Sequence, residues 1–522
     1  MVTKGLSLCG ENMISSIKIK GFRGFAEEQE LTLSKPNGDR GSGLTIIIGP
    51  NNGGKSTIIE SFKLMSSGND ISFAEGQRNK AAGSRVKIVL SSYDGGPIYT
   101  LETIPAGGHK AKRNPEFKGG KNPDPSITVL SSRRFFNPYS KEASHGNGPL
   151  LAARAESVTL ETRGTPIDAD DNGLFEIIEN PKSSKEFNNL LKQILGYNLN
   201  WTVDLSNTGD YYVKINNNHD SDGLGEGLVS LLFLVEALLN SSSDKLVVID
   251  EPELSLHPQL QRNLLEIILE KSRDRQILYA THSPEMILIE AITNGGALAR
   301  VVNSGDGSKI YQLNDESRES LEKFEGDLFN PHVLGYDARS CFFADDLSAG
   351  LVVVEGQEDV IFLKKALEDL YLKRKIRFFG FGASGAGKIE FILAILKNLG
   401  FKKVCCLYDG DIELKKIKEV QGKFPQYGVE ILNADDIRDK ECRVYDKCSN
   451  LLDGKRCKNC KDMKQGIEFC LNKCGNVVNK KLCESCEHMK IGIFNNKKEI
   501  KDKYKPEFES LLDRISKKYE YE

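Results

Sequence analysis

The stretch Gly49-Pro-Asn-Asn-Gly-Gly-Lys-Ser-Thr57 decides the fold of the first half of the chain. An apolar run at 44–48 leads directly into it, and residues 58–65 after it have helical spacing. A strand, a G-x-x-x-x-G-K-[ST] loop and a helix in this order form a P-loop, whose backbone N–H groups and helix N-terminus hold phosphates. The sequence therefore predicts an ATP site formed by Gly49, Asn51, Asn52, Gly53, Gly54, Lys55, Ser56 and Thr57.

Two residues of this loop have distinct expected roles. Lys55 should reach the β- and γ-phosphates of ATP, and Ser56 should ligate Mg²⁺. The same glycine and lysine spacing recurs at Gly382-Ala-Ser-Gly-Ala-Gly-Lys388, but Ile389 stands where a Ser or Thr would bind the metal. We therefore assign only the first loop as a P-loop.

The composition indicates an ordinary folded protein of several domains. A chain of 522 residues is too long for one hydrophobic core. Its formal net charge of -3 gives no global nucleic-acid signature, so any such surface must be local. The sequence contains no run of about 18 apolar residues, which is the length that a membrane-spanning helix needs. The first twelve residues lack the apolar core of a signal peptide. We therefore expect a cytoplasmic protein with no membrane partner.

Two more apolar runs end in residues that suit ATP hydrolysis. The run at 245–250 ends in Asp250-Glu251, and the run at 276–280 is followed by Thr-His282-Ser. An Asp at a strand end can ligate magnesium, and the next Glu can polarise the attacking water. His282 can contact the γ-phosphate. Singly, each residue has a structural alternative: Glu251 as a helix N-terminal acid, His282 as a buried core histidine.

A glycine-rich segment, Gly223-Leu-Gly-Glu-Gly227, opens an apolar helix at 228–239. Together with the P-loop, these motifs resemble the ABC-type ATPases, in the branch shared with SMC and RecF proteins. The resemblance implies Asp250 as the Walker B ligand, Glu251 as the general base and His282 as the switch histidine. The segment departs from the usual Ser-Gly-Gly pattern, and we identify no Q-loop. The resemblance also implies a homodimer or higher homo-oligomer through the ATPase domains, in which a partner's ATP site is completed by a signature loop of Gly225, Glu226 and Gly227.

The second half of the chain has another set of acids at strand ends. An apolar run at 351–354 ends in Glu355, with Asp359 shortly after it, and a run at 404–408 ends in Asp409-Gly-Asp411. Ligands bind at the carboxyl ends of strands in α/β folds, and acids at i and i+2 face the same side. Converging acids without histidine favour Mg²⁺ or Mn²⁺ over zinc. The alternative for the last two acids is an ordinary Asp-Gly turn.

The order Glu-Gly-x-x-Asp and then Asp-Gly-Asp resembles the Toprim fold of topoisomerases, primases and OLD-family nucleases. An ABC ATPase followed by Toprim is similar to the OLD family, which includes the Gabija and retron-associated antiphage nucleases. The resemblance covers most of residues 14–441. It implies Glu355 as a candidate general acid/base and Lys440, after an acidic stretch, as the catalytic lysine. The metal ligands that it implies are Glu355, Asp359, Asp409 and Asp411.

Cysteines form a repeated module near the C-terminus. Cys448-x8-Cys-x2-Cys460 recurs 26 residues later as Cys474-x8-Cys-x2-Cys486, and each triplet follows another cysteine. Four thiolates suit structural zinc, whose binding can supply the folding free energy that a short lysine-rich segment lacks. Disulfides and an iron–sulfur cluster are alternatives, and His488 could replace one cysteine. We expect two structural Zn²⁺ per chain, held by Cys442, Cys448, Cys457, Cys460, Cys470, Cys474, Cys483 and Cys486.

The expected fold class is α/β, with an ABC-type P-loop ATPase domain, then a Rossmann-like Toprim domain with a cysteine-rich zinc-knuckle insert. The long segment at 66–222 should contribute partly to the ATPase antiparallel sheet, with a helix at 184–195, and partly to a dimerisation or substrate arm. The expected boundaries are an N-terminal extension at 1–13, the ATPase domain at 14–302 with its insert at about 66–222, a polar, irregular linker at 303–347, Toprim at 348–441, the cysteine module at 442–495 and a C-terminal helical segment at 496–522.

The expected function is an ATP-regulated, metal-dependent endonuclease that cleaves nucleic acid, most simply DNA, in antiphage defence. The alternatives are a RecF-type ATP-switched DNA-binding repair clamp and a Toprim toxin that cuts tRNA. Residues 441–505 hold 16 Lys and Arg against 9 Asp and Glu, a patch that could bind phosphates or be a solvated surface. The sequence leaves open a reverse transcriptase and its reverse-transcribed DNA as partners.

Metal analysis of the purified chain is expected to return close to two zinc ions, because the repeat makes two equivalent sites. Acid or a strong chelator should release both, since thiolates must stay deprotonated to bind. The double substitution Cys457→Ser, Cys460→Ser should lose one zinc and leave nucleotide affinity unchanged. A metal-free preparation with eight freely titratable cysteines and an intact fold would contradict the assignment.

Overall fold

The computed structural model describes most of the chain and divides it into two compact units. The first comprises the described residues of Met1–Glu325, Arg339–Asp345 and Asn398–Gly400, and the second comprises the described remainder. The described residues are 13–66, 71–93, 97–104, 109–114, 127–132, 134–136, 165–167, 177, 180–205, 211–215, 226–241, 245–322, 335–344, 350–369, 376–410, 412–434, 436–438, 492–494 and 500–517.

The first unit combines strands and helices. Its strands are β1 (Ile14–Lys20), β2 (Gln29–Thr32), β3 (Leu44–Ile48), β4 (Lys87–Ser92), β5 (Pro97–Thr103), β6 (Ala111–Asn114), β7 (Ile127–Leu130), β8 (Arg134–Phe136), β9 (Thr165–Ile167), β10 (Trp201–Leu205), β11 (Tyr211–Ile215), β12 (Leu246–Asp250), β13 (Gln276–Ala280), β14 (Ala297–Asn303) and β15 (Ser308–Gln312). Its helices are α1 (Lys55–Ser66), α2 (Pro181–Leu195), α3 (Glu226–Asn240), α4 (Pro258–Lys271), α5 (Ile289–Thr293) and α6 (Asp315–Glu322); α7 (Tyr336–Cys341) has residues in both units.

A six-stranded sheet with the order β15-β14-β3-β13-β12-β7 forms the centre of this unit. Neighbouring strands are parallel except for β15, which runs antiparallel to β14. Every residue of β3, β12 and β13 is buried. Such continuous apolar runs suit parallel strands that are covered on both faces. The loops that follow β3, β12 and β13 consequently leave the sheet at the same edge.

A five-stranded antiparallel sheet with the order β2-β1-β4-β5-β6 shares its core with the central sheet. One cluster of buried side chains contains Ile17 and Ile88 from this sheet, Leu278 from the central sheet, and Ile58 and Phe62 from α1. The helix that follows the P-loop therefore packs with both sheets. Strands β4 to β6 fall within the segment expected at 66–222, so part of that segment joins the antiparallel sheet.

The helix expected at 184–195 begins three residues earlier, at Pro181. The reason is its capping: the Asn180 side chain accepts hydrogen bonds from the amides of Lys182 and Ser183. Proline is favoured in the first helical turn because its missing N–H would be unpaired there. At the other end Gly196, with φ 82°, terminates the helix in the left-handed conformation that glycine adopts most readily.

The stretch expected to be an irregular linker, 303–347, instead contains β15, α6 and α7. Strand β15 extends the central sheet beside β14, and the amide of Ser308 at its start donates to the carbonyl of Gly24 at 2.7 Å. An edge strand is covered less than a central one, and four of the five residues of β15 are only partly buried. Polar composition was therefore a poor guide here, and the first unit continues beyond residue 302.

The second unit alternates strands and helices. Its elements are β16 (Gly350–Val354), α8 (Gln357–Asp369), β17 (Ile376–Phe378), α9 (Ala386–Asn398), β18 (Val404–Tyr408), α10 (Leu414–Lys423), β19 (Gly428–Ile431), β20 (Asp436–Arg438), β21 (Gly492–Phe494) and α11 (Lys505–Lys517). Strands β17-β16-β18-β19 form a parallel sheet, and β20 pairs in parallel with β21. The whole arrangement is of the α/β class.

The C-terminal helix α11 belongs to the core of the second unit. Phe508 and Leu512 of this helix are buried in one cluster with Val352 of β16 and Leu407 of β18. The helical segment expected at 496–522 thus completes the unit from beyond the cysteine module. The eight candidate zinc ligands lie outside the described residues. Among the helices that the structure describes, none is long and apolar enough to cross a membrane.

Candidate functional site

The loop between β3 and α1 lies directly against the backbone of β14. A Cβ atom added to Gly53 would stand 2.3 Å from the carbonyl oxygen of Val301, a distance that no side chain tolerates. Gly49 and Gly54 have φ values of 140° and 118°, where L-residues are strained. Close packing and backbone conformation together therefore require glycines in this loop.

Lys55 is the first residue of α1, and its ammonium group lies inside the loop. The side chain is 5% exposed, and Nζ donates to the carbonyl oxygens of Gly49 at 2.8 Å and Pro50 at 3.0 Å. Phosphate oxygens are charged acceptors, and charged hydrogen bonds are stronger than those to neutral carbonyls. A phosphate in the loop could therefore replace the two carbonyls as the partner of this lysine.

The residues after β12 and β13 meet at the same edge of the sheet. Asp250 is buried at the end of β12, and the amide of Glu251 donates to the carbonyl of Ala280 at 2.8 Å, which extends the parallel ladder by one residue. Glu251 has a φ of 48°, so the chain turns sharply at this point. The loop that holds Lys55 follows β3, the neighbour of β13.

His282 faces Glu251 across this edge. Its Nε2 atom is 3.6 Å from Oε1 of Glu251, and the two side chains are 38% and 26% exposed. A histidine that is one-third exposed is not a buried core histidine, and Glu251 sits in a turn after a strand. Both side chains are placed where a bound nucleotide could reach them.

Glu253 belongs to the same edge, although no sequence motif singled it out. Its Oε1 atom accepts hydrogen bonds from Oγ1 of Thr281 and from the amide of His282, each at 2.7 Å. Burial raises the pKa of this carboxyl above its usual range, against the opposing effect of the two hydrogen bonds. The available signal was the spacing of Glu251 and Glu253, two residues apart after a buried strand.

The expected signature loop is only partly described. Gly225 and the side chain of Glu226 lie outside the described residues, whereas Gly227 lies in the first turn of α3. A Cβ atom on Gly227 would stand 2.3 Å from the carbonyl oxygen of Ser255. The beginning of α3 therefore packs against the turn that follows Asp250.

In the second unit, the acids after β16 and β18 lie side by side. Oε1 of Glu355 accepts a hydrogen bond from the amide of Asp409 at 3.0 Å, and Asp409 is 8% exposed. Asp359 is buried as well, and its Oδ2 accepts from the amide of Gly356 at 2.7 Å, which caps the start of α8. The parallel pairing of β16 with β18 places Glu355 and Asp409 side by side.

Two other expected residues of this site, Asp411 and Lys440, lie outside the described residues. Across the described part of the chain, no three His, Cys, Asp or Glu side chains are grouped closely enough to hold a metal ion. The donor set that is present consists of carboxylates, which suit Mg²⁺ or Mn²⁺. One oxygen of Glu355 and one oxygen of Asp359 each accept a hydrogen bond from a backbone amide.

The second glycine-rich loop packs on this acid pair. The amide of Gly385 donates to the carbonyl oxygen of Glu355 at 2.8 Å, and the amide of Ala383 donates to that of Val354 at 2.8 Å. A Cβ atom on Gly382 would stand 2.6 Å from the backbone of Gly356. These amides therefore bind the end of β16.

The parallel sheet with its P-loop and the Asp-Glu pair after β12 define a P-loop ATPase domain. Residues 13–121 match the family described as "AAA ATPase domain". Residues 168–287 match the family described as "AAA domain, putative AbiEii toxin, Type IV TA system". Both matches fall in the first unit, so the chain has an ATPase domain that requires ATP.

Two curated proteins are similar to parts of the chain. Endonuclease GajA of Bacillus cereus (strain HuB5-5) is 27% identical over 279 residues, which is 46% of this chain and 39% of that protein. Septu protein PtuA of Bacillus thuringiensis is 24% identical over 320 residues, 54% of this chain and 74% of that protein. The match with GajA thus spans about two fifths of its length.

Among solved structures, the chain is similar to heads of SMC proteins. The SMC head domain from Thermotoga maritima is 15% identical, with a TM-score of 0.32, covering 58% of this chain and 99% of that one. The Smc head domain bound to the C-terminal domain of ScpA derived from Pyrococcus furiosus is 13% identical, with a TM-score of 0.36, covering 61% and 98%.

Substitution of Lys55 tests the nucleotide site. Lys55→Ala is expected to weaken ATP binding about a hundredfold or more, because it removes a charged donor to the phosphates. Glu251→Gln should bind ATP but hydrolyse it about 10²-fold to 10⁴-fold more slowly, because only the general base is lost. Binding of a fluorescent ATP analogue and phosphate release measure the two effects.

Lys388→Ala is the matched control, since it removes the lysine of the second glycine-rich loop and should bind ATP as the unsubstituted chain does. Equal ATP binding by the unsubstituted chain and Lys55→Ala would refute the P-loop assignment.

Proposed function

We propose that the chain is an ATP-regulated, divalent-metal-dependent endonuclease whose ATP site and cleavage site lie in separate units. The observation that carries the proposal is the contact of Glu355 with the amide of Asp409, 3.0 Å apart at the ends of two neighbouring parallel strands. Acids that are distant in sequence but adjacent at the carboxyl ends of parallel strands form a candidate site for metal-assisted hydrolysis.

In the ATP site, Lys55 binds the β- and γ-phosphates and Ser56 shares Mg²⁺ with Asp250. Glu251 accepts the proton of the attacking water, and His282, 3.6 Å from it, contacts the γ-phosphate. Gly227 and the residues before it meet the nucleotide of a second copy, so ATP joins two chains. Hydrolysis then separates them, which gives the ATPase a way to regulate cleavage.

In the cleavage site, Glu355 and Asp409 hold Mg²⁺ or Mn²⁺, and Asp359 and Asp411 complete the acid set. The metal, when bound, polarises the phosphodiester and lowers the pKa of a coordinated water. Glu355 also moves the proton of that water, and Lys440 neutralises charge on the phosphate. This set of roles corresponds to a Toprim domain over the expected residues 348–441.

The similarity to curated proteins supports the proposed substrate class. Endonuclease GajA matches over 46% of this chain at 27% identity, which supports nucleic-acid cleavage, and we propose DNA as the substrate. We place the chain with the OLD-type nucleases of antiphage defence, where ATP turnover restrains or licenses the nuclease. Against a RecF-type clamp stands the adjacency of Glu355 and Asp409 at the ends of two neighbouring parallel strands, since acids placed together in this way suit metal-assisted hydrolysis.

The cysteine module is proposed as a two-zinc insertion into the second unit. Strand β20 precedes the segment 439–491 and pairs with β21 directly after it, Asp436 beside Gly492 and Arg438 beside Phe494. The two strands that flank the segment therefore lie side by side. Its excess of lysine suits contact with nucleic-acid phosphates.

Substitutions in the acid pair test the nuclease. Glu355→Ala and Asp409→Ala are each expected to lower DNA cleavage in Mg²⁺ or Mn²⁺ about 10²-fold or more, because a ligand or proton carrier is lost. ATP hydrolysis should remain unchanged, since it takes place in the other unit. Nicking of supercoiled plasmid and phosphate release measure the two activities.

Glu419→Ala, which removes an exposed acid on α10 of the same unit, serves as the control and should cut normally. Cleavage that persists in both acid variants at the unsubstituted rate would remove this site from the reaction.

A further inference from the structure

Thr281, His282 and Ser283 follow β13, and we call them the switch segment. A backbone hydrogen bond to a neighbouring strand holds it on one side, and a side-chain carboxylate holds it on the other. The amide of Thr281 donates to the carbonyl of Ile47 at 3.0 Å, at the end of the strand that leads into the P-loop. The amide of His282 would need the next carbonyl of a neighbouring strand, but the chain turns away at Glu251. Oε1 of Glu253 takes the place of that carbonyl at 2.7 Å.

The same carboxylate oxygen holds the threonine before the histidine. Oγ1 of Thr281 donates to Oε1 of Glu253 at 2.7 Å and in turn accepts from the amide of Ser283 at 2.9 Å. Thr281 is completely buried, so its hydroxyl has little choice of partner. Three consecutive residues around His282 are thus tied, directly or through Thr281, to one carboxylate.

The backbone that presents Glu253 is itself stiff. Glu251 has a φ of 48°, which is uncommon for a residue with a side chain. The ring of Pro252 fixes its own φ and restricts the backbone of Glu251 before it. The amide of Leu254 closes the turn onto the carbonyl of Glu251 at 3.1 Å. A change in the position of Glu251 must therefore move Glu253, and with it His282.

The second carboxylate oxygen of Glu253, Oε2, indicates that this residue is more than a structural hydrogen-bond acceptor. Oε2 is buried and has no hydrogen-bond partner among the described residues. A buried, unsatisfied carboxylate oxygen is unfavourable, and a neutral hydroxyl or amide could accept the same two hydrogen bonds at lower cost. A buried unsatisfied group is rare in a folded protein and calls for an explanation, of which a role in catalysis is one.

We propose that Glu253 is a positioning residue for ATP hydrolysis, which holds the His282 imidazole beside Glu251 through the Thr281 hydroxyl and the His282 amide. The inference rests on the proposed roles of Glu251 and His282 and assigns Glu253 no contact with ATP. Without Glu253, the His282 amide and the Thr281 hydroxyl lose their shared acceptor in the turn after β12, while the Thr281 amide still donates to Ile47 of β3.

A double-mutant cycle between Glu253 and His282 tests the proposal. Glu253→Ala should lower kcat for ATP hydrolysis about 10²-fold with KM for ATP nearly unchanged, since misplacement of a reacting group by about 1 Å costs that much. Glu253→Gln keeps a carbonyl oxygen for both hydrogen bonds and should recover most of the rate. In the His282→Ala background, Glu253→Ala should cause no further loss, because it acts through the missing side chain.

Thr281→Val and Thr281→Ser give an independent pair should Glu253→Ala fold poorly. Valine keeps the branched shape but cannot donate to Glu253, so kcat should fall, whereas serine keeps the hydroxyl and the rate. The inference about Glu253 would be overturned if Glu253→Ala or Thr281→Val kept the full kcat. It would also be overturned if the losses from Glu253→Ala and His282→Ala multiplied in the double variant. Neither result would affect the proposed function. An unsubstituted chain without Lys55-dependent ATP hydrolysis would overturn the proposed function and this inference with it.

Discussion

Parallel pairing of fully buried strands is the constraint on which the rest of the first unit depends. Ala280 pairs with Asp250 on one side and with Ile47 on the other, so three strands end at the same level. Their register alone places the P-loop, the Asp-Glu turn and the Thr-His turn together, although they are far apart in sequence. A one-residue slip would move every side chain of the shifted strand to the opposite face and separate these groups.

The second unit applies the same constraint to a different chemistry. Leu407 pairs with Val354, so Glu355 and Asp409 follow strands that end side by side. In the first unit the sheet edge carries one lysine, three acids and a histidine beside the P-loop. In the second unit it carries acids, which are the ligands that a hard metal ion prefers. Glycines allow close packing at both edges, against Val301 in one unit and against Gly356 in the other.

Short motifs at strand ends were predictable because apolar runs and the residues that follow them are local in sequence. The P-loop, Asp250-Glu251 and the acid pair were found in this way. Strand β15 was missed because an edge strand needs little apolar character, and its pairing with β14 is a tertiary feature. Glu253 was missed for a related reason, since its partners lie 28 and 29 residues away and no motif links them.

The claim that one chain holds two separate sites for hard metal ions is tested most directly by iron-mediated backbone cleavage. Fe²⁺ can replace Mg²⁺ at oxygen ligands, and ascorbate with peroxide then generates radicals that cut the chain near the metal. With ATP present, we expect fragments from cuts near Asp250 and from cuts near Glu355 and Asp409, and Glu355→Ala should lose only the second set. Cuts confined to the neighbourhood of Asp250 would contradict a metal site in the second unit.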